Sequence, residues 1–334
     1  MNTTSDIYFA SVLNYLEGLG HCKQFCLEQI DFTEFNACPK GARIPLRHYQ
    51  AILELGKQHC HDPLFGFHLG QDIRTADYGV LGYLIESSSD LAAAIDTLLH
   101  YDTLVADIGT AQFSCQGETA SICWTPNQFC TEQVVLRNMT AWVAVVRRLL
   151  DPSLTPTSLS FVYPFHVEEQ QQLSQWFGCQ VIAGATVNQI DFPHDYLQVK
   201  FSSDNPFMHQ ALTQLSQKQL ADIQANQSVS QRVLSILMSK HDLQGINQER
   251  VAQALNLTPR TLQRKLKLEQ CSFVDLRDEE RKRRYELLIN QHSLGTIAAM
   301  LGFNEQSSFN RAFKRWYGCA PKDYCANHHP IRLT

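Results

Sequence analysis

The segment "LGFNEQSSFNRAFKRWYG" occupies residues 301–318 and indicates how the carboxyl-terminal third of this chain folds. A Gly-Phe pair opens a polar turn, apolar residues then recur at helical spacing among three positive charges, and a second glycine follows. Gly302 is suited to a positive φ at the end of one helix, and Phe303 can fill the corner behind it. The pattern predicts a short cationic helix that starts after a tight turn and ends at Gly318.

The same plan occurs earlier in the sequence, in "INQERVAQALNLTPRTLQRKLKLEQ", residues 246–270. In both segments a short helix with small and apolar packing residues runs into a turn, which starts at Asn256 in one and at Gly302 in the other. The alanines allow two helices to approach closely, and the apolar turn residue fixes the angle between them. The repeated plan predicts two helix-turn-helix units, at about residues 246–268 and 294–316.

Each cationic helix has a polar residue where it should begin. Thr258, followed by Pro259 at the first helical position, is suited to cap the first helix. Asn304, followed by Glu305, is the expected cap of the second. A small helical bundle with solvated basic faces would also explain one such hairpin, but two hairpins with the same plan favour DNA binding.

If the two cationic helices bind DNA, their exposed faces are expected to contain the side chains that read it. The major groove admits one helix, arginine can bond guanine in bidentate fashion, and glutamine can do so with adenine. The residues expected at base edges are Arg260, Gln263 and Arg264 on the first helix and Gln306, Ser307, Ser308 and Arg311 on the second. Those expected at phosphates, nearer the helix ends, are Lys265, Lys267, Lys314 and Arg315.

The charge of the chain is divided unevenly. Residues 1–227 contain 11 Lys and Arg against 23 Asp and Glu, a net charge of −12. Residues 228–334 contain 17 against 10, a net charge of +7. The carboxyl-terminal part is therefore the candidate for binding a polyanion.

A third helix is predicted between the two hairpins, over residues 272–290, with Ser272 at its start. We interpret it as a rigid spacer that sets the distance between the two cationic helices, since successive major-groove faces are roughly 34 Å apart. Arg281, Arg283 and Arg284 in its middle are either phosphate contacts or members of a solvated face with internal ion pairs.

Residues 228–326 resemble the DNA-binding domain of the AraC/XylS family of bacterial transcription regulators. The resemblance rests on "VAQALNLTPRTLQRKL", on "IAAMLGFNEQSSFNRAFKRWYGCAPKDY" and on the helix between them. It implies two helix-turn-helix units in consecutive major grooves of promoter DNA and assigns base contacts to the residues named above. Activation is the commoner mode in this family, and an activator would also have RNA polymerase as a partner.

Residues of about 10–200 are similar to the "arabinose-binding-like" amino-terminal domain of one branch of that family, which includes ornithine-utilisation-type regulators. The similar segments include "ARIPLRHYQAILELG", "DYGVLGYLIESSSDLAAAIDTLLHY" and "WFGCQVIAGATVNQIDFP". The resemblance implies binding of an unknown small-molecule effector, formation of a homodimer, or both. Members of this branch do not share one ligand, so arabinose is not implied.

The expected fold is an α+β amino-terminal sensor domain followed by an all-α carboxyl-terminal domain with two helix-turn-helix units joined by a linker helix. Strand patterns are confined to the first two hundred residues, as in the two strands expected over residues 111–125 around Gly117. The linker is placed at residues 221–231, where polar and small residues accumulate. The domains are residues 1–225, for ligand sensing and dimerisation, and 226–334, for DNA binding.

The sequence lacks the motifs of the common enzyme classes, since it has no HExxH, no glycine-rich phosphate loop and no G-x-S-x-G. No catalytic residue, metal site or cofactor is expected. The eleven cysteines include no CxxC pair, which favours reduced thiols in the core. A thiol-responsive regulator, or one that needs no ligand, remains the alternative with the same DNA-binding domain.

The sequence also predicts a cytoplasmic protein without a membrane partner. No apolar run reaches the roughly eighteen residues of a membrane-spanning helix. The amino terminus lacks the basic start and apolar stretch of a signal peptide.

Overall fold

The computed structural model describes residues 3–127, 130–226, 228–238, 240, 242–289, 293–321 and 324. Lys322 and Asp323 of the carboxyl-terminal signature, and Cys325 among the cysteines, lie outside these residues. The chain divides into two compact units, a first unit of residues 1–223 and a second unit of residues 224–334.

Helices and one five-stranded sheet make up the chain as far as residue 226. The helices are α1 (Asp6–Gly18), α2 (Lys23–Gln29), α3 (Leu46–His59), α4 (Phe65–Gln71), α5 (Val80–Glu86), α6 (Leu91–Val105), α7 (Glu132–Leu149), α8 (Val167–Phe177) and α9 (Pro206–Asn226). The strands are β1 (Thr3–Ser5), β2 (Arg43–Pro45), β3 (Gly109–Gln116), β4 (Thr119–Pro126), β5 (Ser158–Ser160), β6 (Gln180–Ile182) and β7 (Asn188–Pro193).

The sheet has the strand order β3-β4-β7-β5-β6, and β1 pairs separately with β2. Within the sheet only β5 and β6 run parallel. The predicted hairpin around Gly117 is confirmed as β3 and β4, whose register places Phe113 opposite Ile122. One face of β4 therefore turns the buried side chains of Ala120, Ile122 and Trp124 toward the helices.

Helix α7 runs through the core of the first unit and places a charge there. Arg137 is fully buried. Its guanidinium donates to Tyr49 Oη at 2.8 Å and to Ser11 Oγ at 2.5 Å, and it lies 3.8 Å from the centroid of the Tyr8 ring. The hydroxyl groups and the ring replace water around the cation, so the helix can remain in the core.

The division between the two compact units falls within the predicted linker at residues 221–231, although much of this stretch is helical. Helix α9 continues to Asn226, and the next helix, α10, begins at Val229. Ala and Gln in this stretch are good helix formers, so their small size and polarity do not stop the helix. Ser228 precedes α10, and its Oγ accepts a hydrogen bond from the backbone of Gln231.

Among the described residues of the second unit, all regular secondary structure is helical. Its helices are α10 (Val229–Met238), α11 (Gln248–Ala254), α12 (Pro259–Leu268), α13 (Phe273–Leu288), α14 (Leu294–Met300) and α15 (Gln306–Tyr317). The observed order is therefore a mixed α and β unit followed by an all-α unit, which confirms the predicted fold class.

Two separate apolar cores hold the second unit together. The first core surrounds Val251, Leu262 and Leu266, and the second surrounds Ile297, Phe309 and Phe313. Helix α13 contributes Phe273 and Leu276 to the first core and Tyr285 to the second. Because one continuous helix belongs to both cores, it fixes the distance between them, as the interpretation of a rigid spacer requires.

Candidate nucleic-acid interface

Helices α11 and α12 form the first hairpin. The turn between them passes through Asn256, which adopts a left-handed φ of 54°. Thr258 caps α12 by accepting a hydrogen bond from the backbone of Thr261, and Pro259 occupies the first turn, as predicted. Leu257 packs against the first core and so fixes the corner.

Helices α14 and α15 form the second hairpin, in which Gly302 has two structural roles. Its φ of 74° is left-handed. A methyl group at this position would also lie 2.4 Å from the carbonyl oxygen of Leu243. The backbone of Leu243 donates to Met300 O at 3.1 Å, so the chain before α11 lies directly on the end of α14. Phe303 fills the corner, and the Arg281 guanidinium lies 3.9 Å from its ring centroid.

The turn of the second hairpin is one residue longer than that of the first. The caps of α11 and α14, Asn247 and Ser293, are 46 residues apart, whereas those of α12 and α15, Thr258 and Glu305, are 47 apart. The prediction that Asn304 caps α15 is therefore wrong, because the extra residue moves the cap position to Glu305. The Glu305 side chain makes no capping hydrogen bond.

The exposed face of α12 is strongly cationic. Leu262 and Leu266 are buried, and at 100° per residue Arg260, Arg264 and Lys267 lie on the opposite side of the helix. These three residues are exposed and form no hydrogen bond or ion pair with any described residue. Gln263 and Lys265, also exposed, lie at the two edges of this face.

The exposed face of α15 differs in part from the expected one. Phe309 and Phe313 are buried, which places Ser307, Arg311 and Lys314 on the outer side. Ser308 is half-buried at the edge and accepts a hydrogen bond from Arg311 Nη2 at 3.3 Å. Gln306 is exposed at the start of the helix.

Asn310 is an exposed residue on this side that the sequence interpretation missed. It accepts a hydrogen bond from Gln306 Nε2 at 3.3 Å. Alignment of the two cationic helices on their buried residues, Leu262 with Phe309, would have paired Gln263 with Asn310.

Arg315 is exposed, but it is joined to the linking helix. Its Nη2 contacts Asp278 Oδ2, and Trp316 Nε1 donates to the same oxygen at 3.0 Å. The carboxylate of Asp278 therefore holds α15 against α13 and partly neutralises Arg315. This residue contributes less positive potential to the face than Lys314, which has no such partner among the described residues.

The arginines of α13 lie inside the second unit, which answers the question that the sequence left open. Arg284 Nη2 donates to Leu237 O at 2.9 Å and to Lys240 O at 2.6 Å, at the end of α10. Arg281 Nε donates to Leu301 O at 2.9 Å, at the end of α14. Arg283 pairs with Glu280. These side chains bind carbonyl and carboxylate groups of the protein, and burial lowers the pKa of Arg281 to about 10.

Comparison with known protein families identifies the chain. The family described as "Arabinose-binding domain of AraC transcription regulator, N-term" matches residues 24–201, more than half of the sequence. The chain belongs to the AraC transcription regulators. A "Helix-turn-helix domain" matches residues 251–327, which include both hairpins.

Several transcription regulators are similar to this chain over part or most of its length. The ornithine utilization regulator of Pseudomonas aeruginosa is 27% identical over 299 residues, 86% of this chain and 85% of its own. The regulator VirS of Mycobacterium tuberculosis is 29% identical over 151 residues, 45% of this chain and 44% of its own. The crystal structure of the transcriptional regulator CdpR from Pseudomonas aeruginosa is 24% identical, with a TM-score of 0.43, and covers 82% of this chain and 90% of that one.

The family assignment and the cationic hairpins agree on one activity. This AraC regulator is a DNA-binding transcription regulator, and DNA is its partner. Transcription regulators of this kind are not enzymes. The arabinose-binding name describes the family of its first domain and does not identify what this chain binds.

Burial disfavours the thiolate form of several cysteines of the AraC regulator. Its ten described cysteines are free. Burial raises the pKa of Cys26, Cys60, Cys130 and Cys271, and it raises that of Cys179 to about 11. A raised pKa leaves less thiolate at neutral pH and so slows oxidation and alkylation.

Two general properties complete the description of the AraC regulator. Within the described part of the chain, no three His, Cys, Asp or Glu side chains gather closely enough to hold a metal ion. No helix in the same part combines the length and the apolar character needed to cross a bilayer.

Proposed function

We propose that this AraC regulator is a ligand-responsive activator that binds promoter DNA as a homodimer. Residues 1–225 bind a small-molecule effector and form the dimer, and residues 226–334 bind DNA. In each subunit α12 and α15 enter two consecutive major grooves, and the bound protein recruits RNA polymerase. The effector acts through its different affinities for the conformations that do and do not bind DNA.

One observation supports this assignment more than any other. Helices α12 and α15 each bury their apolar side into a separate core, and each turns long donor side chains away from that core. Arg260 and Arg264 in particular are charged, exposed and without a partner among the described residues. A solvated helix face needs no such set of planar, bidentate donors, whereas base recognition does.

The proposed DNA contacts follow from the positions on each helix. The residues proposed at base edges are Arg260, Gln263, Arg264, Ser307, Asn310 and Arg311, with Gln306 and Ser308 at the margin of the second helix. The residues proposed at phosphates are Lys265, Lys267, Lys314 and Arg315.

Replacing a base-reading arginine should weaken specific binding selectively. We expect Arg264→Ala or Arg311→Ala to reduce affinity for a specific site by about 1–3 kcal/mol and to relax base preference at one position. Fluorescence anisotropy on the site found by footprinting upstream of the protein's own gene measures this loss, alongside a random duplex of equal length.

Lys314→Ala is the matched control for a phosphate contact. It should weaken binding to both duplexes equally and lower the slope of log affinity against log salt by about 1. Equal losses on both duplexes for Arg264→Ala and Arg311→Ala would instead assign these two arginines to phosphates.

The dimer is proposed to involve the start of α9. There Phe207 is 87% exposed and Met208 is 51% exposed, large values for apolar side chains. We expect sedimentation velocity of the full chain to give twice the monomer mass of 38.0 kDa, and Phe207→Ser to shift the protein toward the monomer. A monomeric wild type at micromolar concentration would contradict the dimer, and an unchanged dimer in Phe207→Ser would place the contact elsewhere.

A further inference from the structure

The first unit contains an apolar cavity of about 90 Å³ between α6, α7 and the sheet. Its walls consist almost entirely of carbon atoms. Representative wall residues are Ala94, Leu98, Ile122, Trp142, Val146 and Phe192. Protein cores are packed to crystal density, so a space of this kind is an unusual feature of the fold.

A smaller, more polar recess of about 20 Å³ adjoins the apolar cavity. The two spaces share Tyr78, Leu98 and Trp142 as wall residues. The recess is also lined by Asn138 and Asp102. Together the two spaces have an apolar body and a polar end, which is the usual character of a site for a small molecule.

Three buried polar atoms around this end, including Tyr8 Oη, have no hydrogen-bond partner among the described residues. Tyr78 is 7% exposed and Asn138 is 6% exposed. Neither Tyr78 Oη nor Asn138 Nδ2 forms a hydrogen bond with a described residue. An unpaired buried polar group normally destabilises a fold, so each such group needs an explanation. Nearby Arg137 donates to Tyr49 and Ser11 through its two Nη atoms, while its Nε is also without a partner among the described residues.

The chemistry of the recess indicates a neutral head group that accepts hydrogen bonds. The Asn138 amide nitrogen can only donate. Burial raises the pKa of Tyr78 well above its ordinary value, so its hydroxyl also keeps a proton to donate. Asp102 would repel a carboxylate, and burial raises the pKa of its own carboxyl to about 7, which allows it to donate to an oxygen or accept from a hydroxyl.

We propose that the first unit binds, in these two adjoining spaces, a small molecule with a short alkyl body and one neutral oxygen head group. This inference rests on the proposed function, since it specifies the chemical class of the effector. A dry cavity of roughly 150 Å³ holds the six carbons of benzene, and the two spaces here are smaller, so the alkyl body has at most about six carbons. Sugars and amino acids are excluded as occupants because their polar groups would face carbon walls.

Binding of 1-hexanol to the full-length protein tests the proposal. We expect isothermal titration calorimetry to show one site per chain, and we expect a change in tryptophan fluorescence because Trp142 lines both spaces. L-Arabinose and ornithine at the same concentration should give neither signal. Absence of binding by 1-hexanol would overturn the proposal.

Two variants locate the binding. Tyr78→Phe removes an unpaired hydroxyl, so it should leave thermal stability unchanged or higher while weakening 1-hexanol binding roughly three- to tenfold. Ala94→Leu fills the apolar cavity and should abolish binding. If Ala94→Leu fails to fold, Tyr78→Phe still decides the question, because unchanged affinity in that variant would place 1-hexanol elsewhere and overturn the proposal.

The outcome is separate from that of the proposed function. Calorimetry measures occupancy of the pocket without DNA. Binding of 1-hexanol without any effect on DNA affinity would contradict the proposed ligand response and leave the pocket assignment standing. Regulation by a sugar or an amino acid without 1-hexanol binding would support the proposed ligand response and contradict the pocket assignment.

Discussion

Gly302→Ala is expected to lower the free energy of unfolding of the second unit by about 2–4 kcal/mol. About 1–2 kcal/mol of this arises from the left-handed φ of 74°, which a residue with a Cβ adopts unfavourably. The rest arises from contact, since the new methyl group would lie 2.4 Å from the carbonyl oxygen of Leu243. Both atoms of that contact are attached to backbone, so neither can move aside without disturbing the turn.

Gly318→Ala provides a matched control. Gly318 ends α15 with a φ of 77°, close to that of Gly302, but a methyl group there would have no neighbour within 4 Å. Gly318→Ala should therefore lose only the stability that arises from the left-handed φ, about 1–2 kcal/mol. Hydrogen exchange of the amides in residues 293–317 measures both losses locally, without assuming that the two units unfold together. Equal losses in the two variants would show that the Leu243 contact has no energetic role.

The two variants should lose affinity for specific DNA in the same order as they lose stability. Movement of the Gly302 turn displaces the start of α15, so Gly302→Ala should weaken specific binding more than Gly318→Ala does. Full specific affinity in Gly302→Ala would mean that the turn does not position the second cationic helix.

The helical hairpins were predictable because their determinants are local. A cap such as Thr258, a proline after it and a glycine at a left-handed turn each act within a few residues of the chain. The apolar spacing of Phe309 and Phe313 likewise identifies a buried side without reference to other helices. These signals were sufficient to locate both helical hairpins and most of their exposed side chains.

Features that depend on distant contacts were not predictable. The approach of Leu243 to Gly302 joins segments far apart in sequence, and no local sequence pattern indicates it. The arginines of α13 look solvated in the sequence because they lie in a charged run, yet Arg281 and Arg284 bind carbonyl groups of other helices. The apolar cavity of the first unit is another such feature, since its walls come from α6, α7 and the sheet.

Glu280→Ala is expected to be the most destabilising change in the second unit, by about 3–5 kcal/mol. The carboxylate is 1% exposed and accepts from Arg283 Nε at 2.7 Å and from Arg284 Nε at 2.7 Å. Its removal would leave two largely buried guanidinium groups without this counter-charge, and breaking such a pair costs far more than the intact pair contributes. The nearby end of α10 should loosen as well, because Arg284 also binds Leu237 O.

Chemical denaturation followed by hydrogen exchange over α10 and α13 measures this loss. Glu249→Ala, an exposed carboxylate in the same unit, should change stability by less than about 1 kcal/mol. Glu280→Ala combined with Arg284→Ala should be less destabilised than the sum of the two single variants, because the second change removes a charge that the first left unpaired. Additive losses would mean that the two side chains act independently, and α13 would then hold its neighbours by apolar packing through Phe273 and Tyr285 rather than by this ion-paired cluster.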